Sequence, residues 1–220
     1  MNATPPLVVP ILATPFGVVA LPEAGVLNPA LGALFAASRA SDSSPQTNPL
    51  CFRSRDDLLE RPEPPVRQLV AAILRGVYSV VESVNEIPEA QLRELKLEAR
   101  GWFTIVKPDG CVPASSCPNT AWCAIYCVAA PPASSTRADS GVLRLYESRF
   151  GMMFHDPTIA VMRMPYKPNH CSWRPVAGQL AVFPASLTHE IALLRAVGEL
   201  MLVTVRIRFV NPGQQGIPRW

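Results

Sequence analysis

No uninterrupted apolar run approaches the roughly eighteen residues that a bilayer-spanning helix needs, so nothing in the chain reads as a membrane span. The N-terminus lacks the basic region that precedes the apolar core of a secretory leader, and prolines interrupt its first apolar stretch. The expectation is therefore a cytoplasmic protein. Charge is also scarce: only 17% of residues are charged, the net charge is +3, and no Lys/Arg cluster forms a basic patch. This argues against a nucleic-acid partner. No two Cys-x-x-Cys elements lie close enough to frame a structural zinc site. Histidine is limited to three residues, His155, His170 and His189. No internal repeat or low-complexity tract is visible, and oligomeric state leaves no mark in the sequence.

What remains is a globular composition. With 49% apolar residues in 220, the chain can bury a proper core and is expected to form one domain over 1–220. Within it, 1–100 would supply strands and bracing helices and 101–220 the core. Its 24 prolines, about double an ordinary share, suggest many short strands joined by irregular loops. The six cysteines read as reduced thiols in this compartment, and Cys123 and Cys127 would project to one face of an alternating strand.

Residues 7–20 read as one or two short strands broken by Pro10 and Pro15. Asn28-Pro29 places a cap-like residue before a proline, and Leu31, Leu34 and Phe35 then space a short helix. Residues 38–65 are expected to be loop. From Pro65, Val66, Leu69, Ile73, Val77, Val80 and Val84 recur at helical steps and require a partner layer along one face. A second helix is expected over Glu89–Glu98. Beyond residue 101 the pattern changes to strands: Trp102–Val106, Ala121–Ala129, Val142–Tyr146, Ile159–Met164, Gln179–Phe183, His189–Leu194 and Leu200–Val210. The expected fold class is mostly β with supporting helices (α+β): a double-sheet jelly roll, or double-stranded β-helix, with an N-terminal helical flank.

Chemistry is concentrated near Gly178–Glu190. An alternating strand follows the glycine, Pro184 stops its ladder, and His189 opens the next apolar run. A histidine at the mouth of a strand pair suits a metal ligand, although a histidine among apolar residues also serves structure alone. On the last strand Arg206 and Arg208 alternate with Val205, Ile207 and Phe209, so both guanidiniums share a face. That face lines either a barrel or a solvated strand edge.

The segment Gly178-x-Leu180-x-x-Phe183-Pro184-x-x-Leu187-x-His189 resembles the one carrying the distal iron-binding histidine in a family of small 2-oxoglutarate- and Fe(II)-dependent oxygenases. Ala13-Thr14-Pro15-Phe16, Asn28, Trp102, Trp122-x-x-x-Tyr126, Gly141-x-Leu143, Phe154-x-Asp156-Pro157 and Val205-x-Ile207-x-Phe209-x-Asn211 follow in that family's order. The resemblance implies a jelly-roll hydroxylase acting on a small molecule or a peptidyl side chain, with Fe(II) and 2-oxoglutarate as cofactors. It assigns His189 to the metal and Tyr126 to a hydrogen bond in the pocket. The far carboxylate of 2-oxoglutarate calls for a basic residue on a late strand, for which Arg206 is the choice, while the family's arginine falls on Leu200 in one register and on Thr204 in another.

The sequence departs from the family at the proximal ligands. Where the family is histidine-rich, this chain reads Cys111-Val112-Pro113-Ala114-Ser115-Ser116-Cys117-Pro118-Asn119, so Ser115 and Cys117 occupy what look like ligand positions. Cys117 could bind metal only as a thiolate. His155 and Asp156 are of the right types, but neighbours on a strand point to opposite faces, and His170 reads as a surface residue. Two expectations follow: an oxygenase with an altered metal site, or a jelly-roll ligand-binding or scaffold protein without the metal.

Overall fold

The computed structural model describes residues 13–42, 46, 48–117, 119–132, 138–146 and 170–211. In it, ten strands (β1–β10) pair into two antiparallel sheets. The major sheet has the order β1(Gly17–Ala20)-β8(Gln179–Pro184)-β5(Trp122–Ala129)-β10(Leu200–Val210)-β3(Lys96–Val106)-β2(Cys51–Arg53). The minor sheet has the order β4(Val112–Ser115)-β9(Thr188–Ile191)-β6(Leu143–Tyr146)-β7(His170–Trp173). Two facing antiparallel sheets backed by helices are the jelly-roll architecture expected from the sequence.

Strand β10 is the spine of the major sheet. All eleven of its residues pair with β3, and seven pair with β5 on the other side. Because side chains alternate along a strand, β10 has two jobs. Val203, Val205 and Ile207 enter a core beneath the helices, whereas Leu200 and Leu202 enter the core between the sheets. Strand β5 divides likewise, with Ala124, Tyr126 and Val128 on the helix side and Cys123, Ile125 and Cys127 between the sheets. Cys123 and Cys127 therefore share a face, as their spacing requires. All six cysteines are free thiols.

The helical layer consists of α1(Ala24–Ser41), α2(Pro64–Val84) and the short α3(Glu89–Glu94). Helix α2 buries Val66, Leu69, Ile73, Val77 and Val80 along one stripe. Gly76 allows the close approach to the sheet: a Cβ there would lie 2.7 Å from the Leu180 side chain. Helix α1 starts four residues before Asn28, so the expected cap lies inside the helix with Pro29 behind it. Burial of Leu27, Leu31 and Phe35 offsets the backbone hydrogen bond that the proline cannot donate.

Other boundaries also move. The expected loop over 38–65 contains the end of α1, β2 and a 3₁₀ turn at Leu58–Glu60. Helix α3 stops at Glu94 because β3 begins at Lys96 and pairs along its whole length with β10. His170, read as a loop residue, starts β7 and is exposed. The expected strand Ile159–Met164 and the residues of 7–12 lie outside the described residues. No helix among the described residues is long and apolar enough to cross a membrane.

Phe35 joins the helical layer to the sheet, its ring stacked on Phe103 at 4.1 Å between centroids. Both rings are fully buried. Phe35→Ala should therefore lower unfolding free energy by about 3–5 kcal/mol, read as an earlier urea midpoint with unchanged slope. A loss under about 1 kcal/mol would show that α1 does not anchor on the sheet.

Candidate functional site

The inter-sheet space opens at one end into a cleft of about 400 Å³, counting the part exposed to solvent. Trp102 and Thr104 of β3, Ile125 of β5, and Leu202, Thr204 and Arg206 of β10 line its major-sheet wall. Val112 and Ser115 of β4 and His189 to Ile191 of β9 line the minor-sheet wall. Strand alternation thus brings His189 and Arg206 into one cleft from opposite sheets, although they belong to separate strands.

His189 is 8% exposed. Its Nδ1 lies 2.9 Å from the Leu187 carbonyl oxygen. A carbonyl only accepts, so Nδ1 carries the proton in this bond and the neutral ring keeps its lone pair on Nε2. That nitrogen faces the Cys123 thiol at 3.9 Å. The Phe183 ring meets the imidazole edge-on at 5.1 Å. Burial holds the His189 pKa below the usual imidazole value, and the Arg206 guanidinium pushes it the same way. Burial likewise pushes the Cys123 thiol up to about 12, so it is not a thiolate at neutral pH.

Arg206 stands over the Trp102 ring, its Cζ 5.0 Å from the centroid. Its Nε is buried and has no hydrogen-bond partner among the described residues. Such an orphaned donor on a guanidinium is costly unless an acceptor arrives. Arg208, two residues on, faces the same way and is already satisfied: Glu98 accepts from it at 2.6 Å. The two arginines of the strand are therefore distinguished by their neighbours: Arg208 is paired within the protein, whereas Arg206 lines the cleft with its buried Nε unpaired among the described residues.

Tyr126 requires a correction. Its parity on β5 sends it to the helix side, where it is fully buried and its hydroxyl donates to Asn28 Oδ1 at 2.6 Å. It therefore braces α1 against the sheet and does not reach the cleft.

Fe(II) takes a facial set of two histidines and a carboxylate. His189 supplies one suitable nitrogen. Directly opposite it in register stands Ser115, a neutral hydroxyl. The Cys117 sulfur lies 2.8 Å from Thr120 Oγ1 and packs at the margin of the inter-sheet core. Glu190 also borders the cleft, but its carboxylate is engaged, accepting from Tyr146 at 2.6 Å and from Arg144 at 3.1 Å. No group of three or more His, Cys, Asp or Glu side chains among the described residues could hold a metal ion. These residues do not fit the iron site. His155 and Asp156 lie outside the described residues.

Thr204 of the cleft wall and Arg53, which stands over the Trp102 ring, carry no motif signal, and the sequence assigns Trp102 no role in the cleft. Trp102 and Thr204 are cross-strand partners, a relation that depends on the β3–β10 register. Arg53 falls in the stretch read as loop.

No family model matches the chain, and no curated protein matches it. Solved structures do. A Pseudomonas putida prolyl-4-hydroxylase superposes with a TM-score of 0.55 at 15% identity, covering 90% of this chain and 93% of that one. AviO1 from Streptomyces viridochromogenes gives 0.58 at 14% identity, with 94% of each chain covered. HygX from Streptomyces hygroscopicus, solved with nickel and 2-oxoglutarate bound, gives 0.57 at 12% identity and covers 92% of this chain and 84% of that one. The chain has the double-stranded β-helix fold of the 2-oxoglutarate- and Fe(II)-dependent oxygenases.

His189 also predicts a pH dependence. Its folded pKa lies below the unfolded value near 6.5, so the unfolded chain binds its proton first as pH falls. The stabilisation from neutral His189 is present above pH of about 6.5 and is lost below it. His189→Gln should flatten the fall in melting temperature between about pH 7 and 5. An equally steep fall in the variant would place the titrating group elsewhere.

Proposed function

We propose that this chain uses the oxygenase architecture to bind a small carboxylate-bearing ligand in the inter-sheet cleft, with Arg206 as its anchor. 2-Oxoglutarate is the reference ligand, because the fold is shared with proteins such as HygX that hold it. The observation carrying this reading is the buried, unpartnered Nε of Arg206 in the cleft that His189 enters from the opposite sheet. A guanidinium offers a planar fork that matches a carboxylate, and such charge-assisted bonds are worth more than neutral ones. Thr204 and Ser115 supply hydroxyls to a polar ligand, and Trp102 and Ile125 supply apolar walls.

A second reading is the iron- and 2-oxoglutarate-dependent hydroxylase that the fold suggests. One observation favours it: the Leu187 carbonyl fixes His189 in the tautomer whose Nε2 can bind metal. Against it stand Ser115 and Cys117 at the proximal ligand positions. In this reading His189 binds the iron, and the described residues supply no further ligand set for it.

Calorimetry separates the two. Without metal, wild-type protein should bind 2-oxoglutarate, and Arg206→Ala should weaken that binding by about tenfold or more. Loaded anaerobically with ferrous iron, wild type and His189→Ala should carry equal iron, and once oxygen and 2-oxoglutarate are admitted neither should form succinate above background. Stoichiometric iron lost in His189→Ala, with succinate formed by wild type, would establish the hydroxylase instead. Failure of wild type to bind any dicarboxylate would remove the binding reading.

A further inference from the structure

Trp102 has a charged neighbour on each flanking strand. Arg53 of β2 places its Cζ 4.2 Å from the indole centroid, and Arg206 of β10 places its own at 5.0 Å. Strand β3 lies between β2 and β10 in the sheet, so the ring stands between two guanidiniums. Their circumstances differ. Arg53 is bound to Asp56 at 2.5 Å and donates to the Ser54 carbonyl at 3.4 Å, so its charge is matched. Arg206 leaves its Nε donor buried without a partner among the described residues.

Stacking on a ring holds a guanidinium through its face and uses none of its N–H donors, all of which lie in its own plane. Two cations brought this close would repel without the indole, which is attractive to both. Removing the ring would therefore lose the attraction and also let Arg206 swing away from Arg53.

Building on the carboxylate-binding reading, we propose that Trp102 is a positioning residue: the Arg53–Trp102–Arg206 stack fixes the guanidinium of Arg206 so that Nε and a terminal nitrogen face the cleft as a ready fork for the ligand's carboxylate. A preset donor pair binds more tightly than a mobile one, because less side-chain freedom is lost on binding. Trp102 contributes through Arg206, and its effect should vanish when the fork is gone.

A double-mutant cycle with 2-oxoglutarate, measured by calorimetry on folded protein, tests this. Arg206→Lys, which keeps the charge and loses the fork, should weaken binding about tenfold. Trp102→Leu in the wild-type background should weaken it about five- to tenfold, and Trp102→Phe, which keeps a weaker ring face, about two- to threefold. In the Arg206→Lys background, either Trp102 substitution should change affinity by less than about twofold. If Trp102→Leu does not fold, the Phe series gives the same comparison. The inference is overturned if Trp102 variants bind like wild type, or lose the same factor whether residue 206 is Arg or Lys. Wild type binding no dicarboxylate would overturn the function reading and this inference with it. A wild type that binds through Arg206 but is indifferent to Trp102 would overturn this inference alone.

Discussion

The cleft depends on the alternation of β10 between two pairing partners. Held by β3 on one side and β5 on the other, the strand cannot slip by one residue without moving Val203, Val205 and Ile207 out of the helix-side core. That burial fixes which way the even-numbered residues point. Leu200 and Leu202 close the inter-sheet core, Thr204 and Arg206 line the cleft, and Arg208 meets Glu98 at the strand end. Arg206 is thus held toward the cleft by hydrophobic residues on the other face of its strand.

The two walls of the cleft differ in kind. The major sheet contributes a guanidinium, an indole and threonine hydroxyls, which together suit an anion with an apolar shaft. The minor sheet contributes a buried imidazole, kept neutral by burial and by the nearby Arg206, opposite a serine hydroxyl. An iron site would need its remaining ligands on this second wall, where β4 presents Ser115. The fold shared with the oxygenases therefore comes with a changed donor set, and fold alone does not restore the chemistry.

Much of this was legible in the sequence. The three- and four-residue steps after Pro65 define α2, and the Gly178 turn followed by alternation defines β8, which starts at Gln179. His189 and Arg206 are readable because a polar side chain among apolar neighbours stands out. The misses share a cause. Residues 122–129 are apolar on both faces of β5, so period two cannot say which face meets the helices, and the helix-side position of Tyr126 is visible only in the fold. Strands β2, β4 and β7 have three or four residues each and are defined by their partners, not by their own pattern. The role of Trp102 arises from residues far away in the chain, Arg53 and Arg206, that sheet order brings to its ring.

The central claim is that Arg206 presents an open donor to a ligand in the cleft. The side-chain Nε–H resonance of Arg206, assigned by its loss in Arg206→Lys and followed as 2-oxoglutarate is added, tests this most directly. The account predicts a saturable downfield shift of that resonance, with the Arg208 resonance, already bonded to Glu98, unmoved. An Arg206 signal that stays fixed while the ligand binds, or while another arginine shifts, would contradict it.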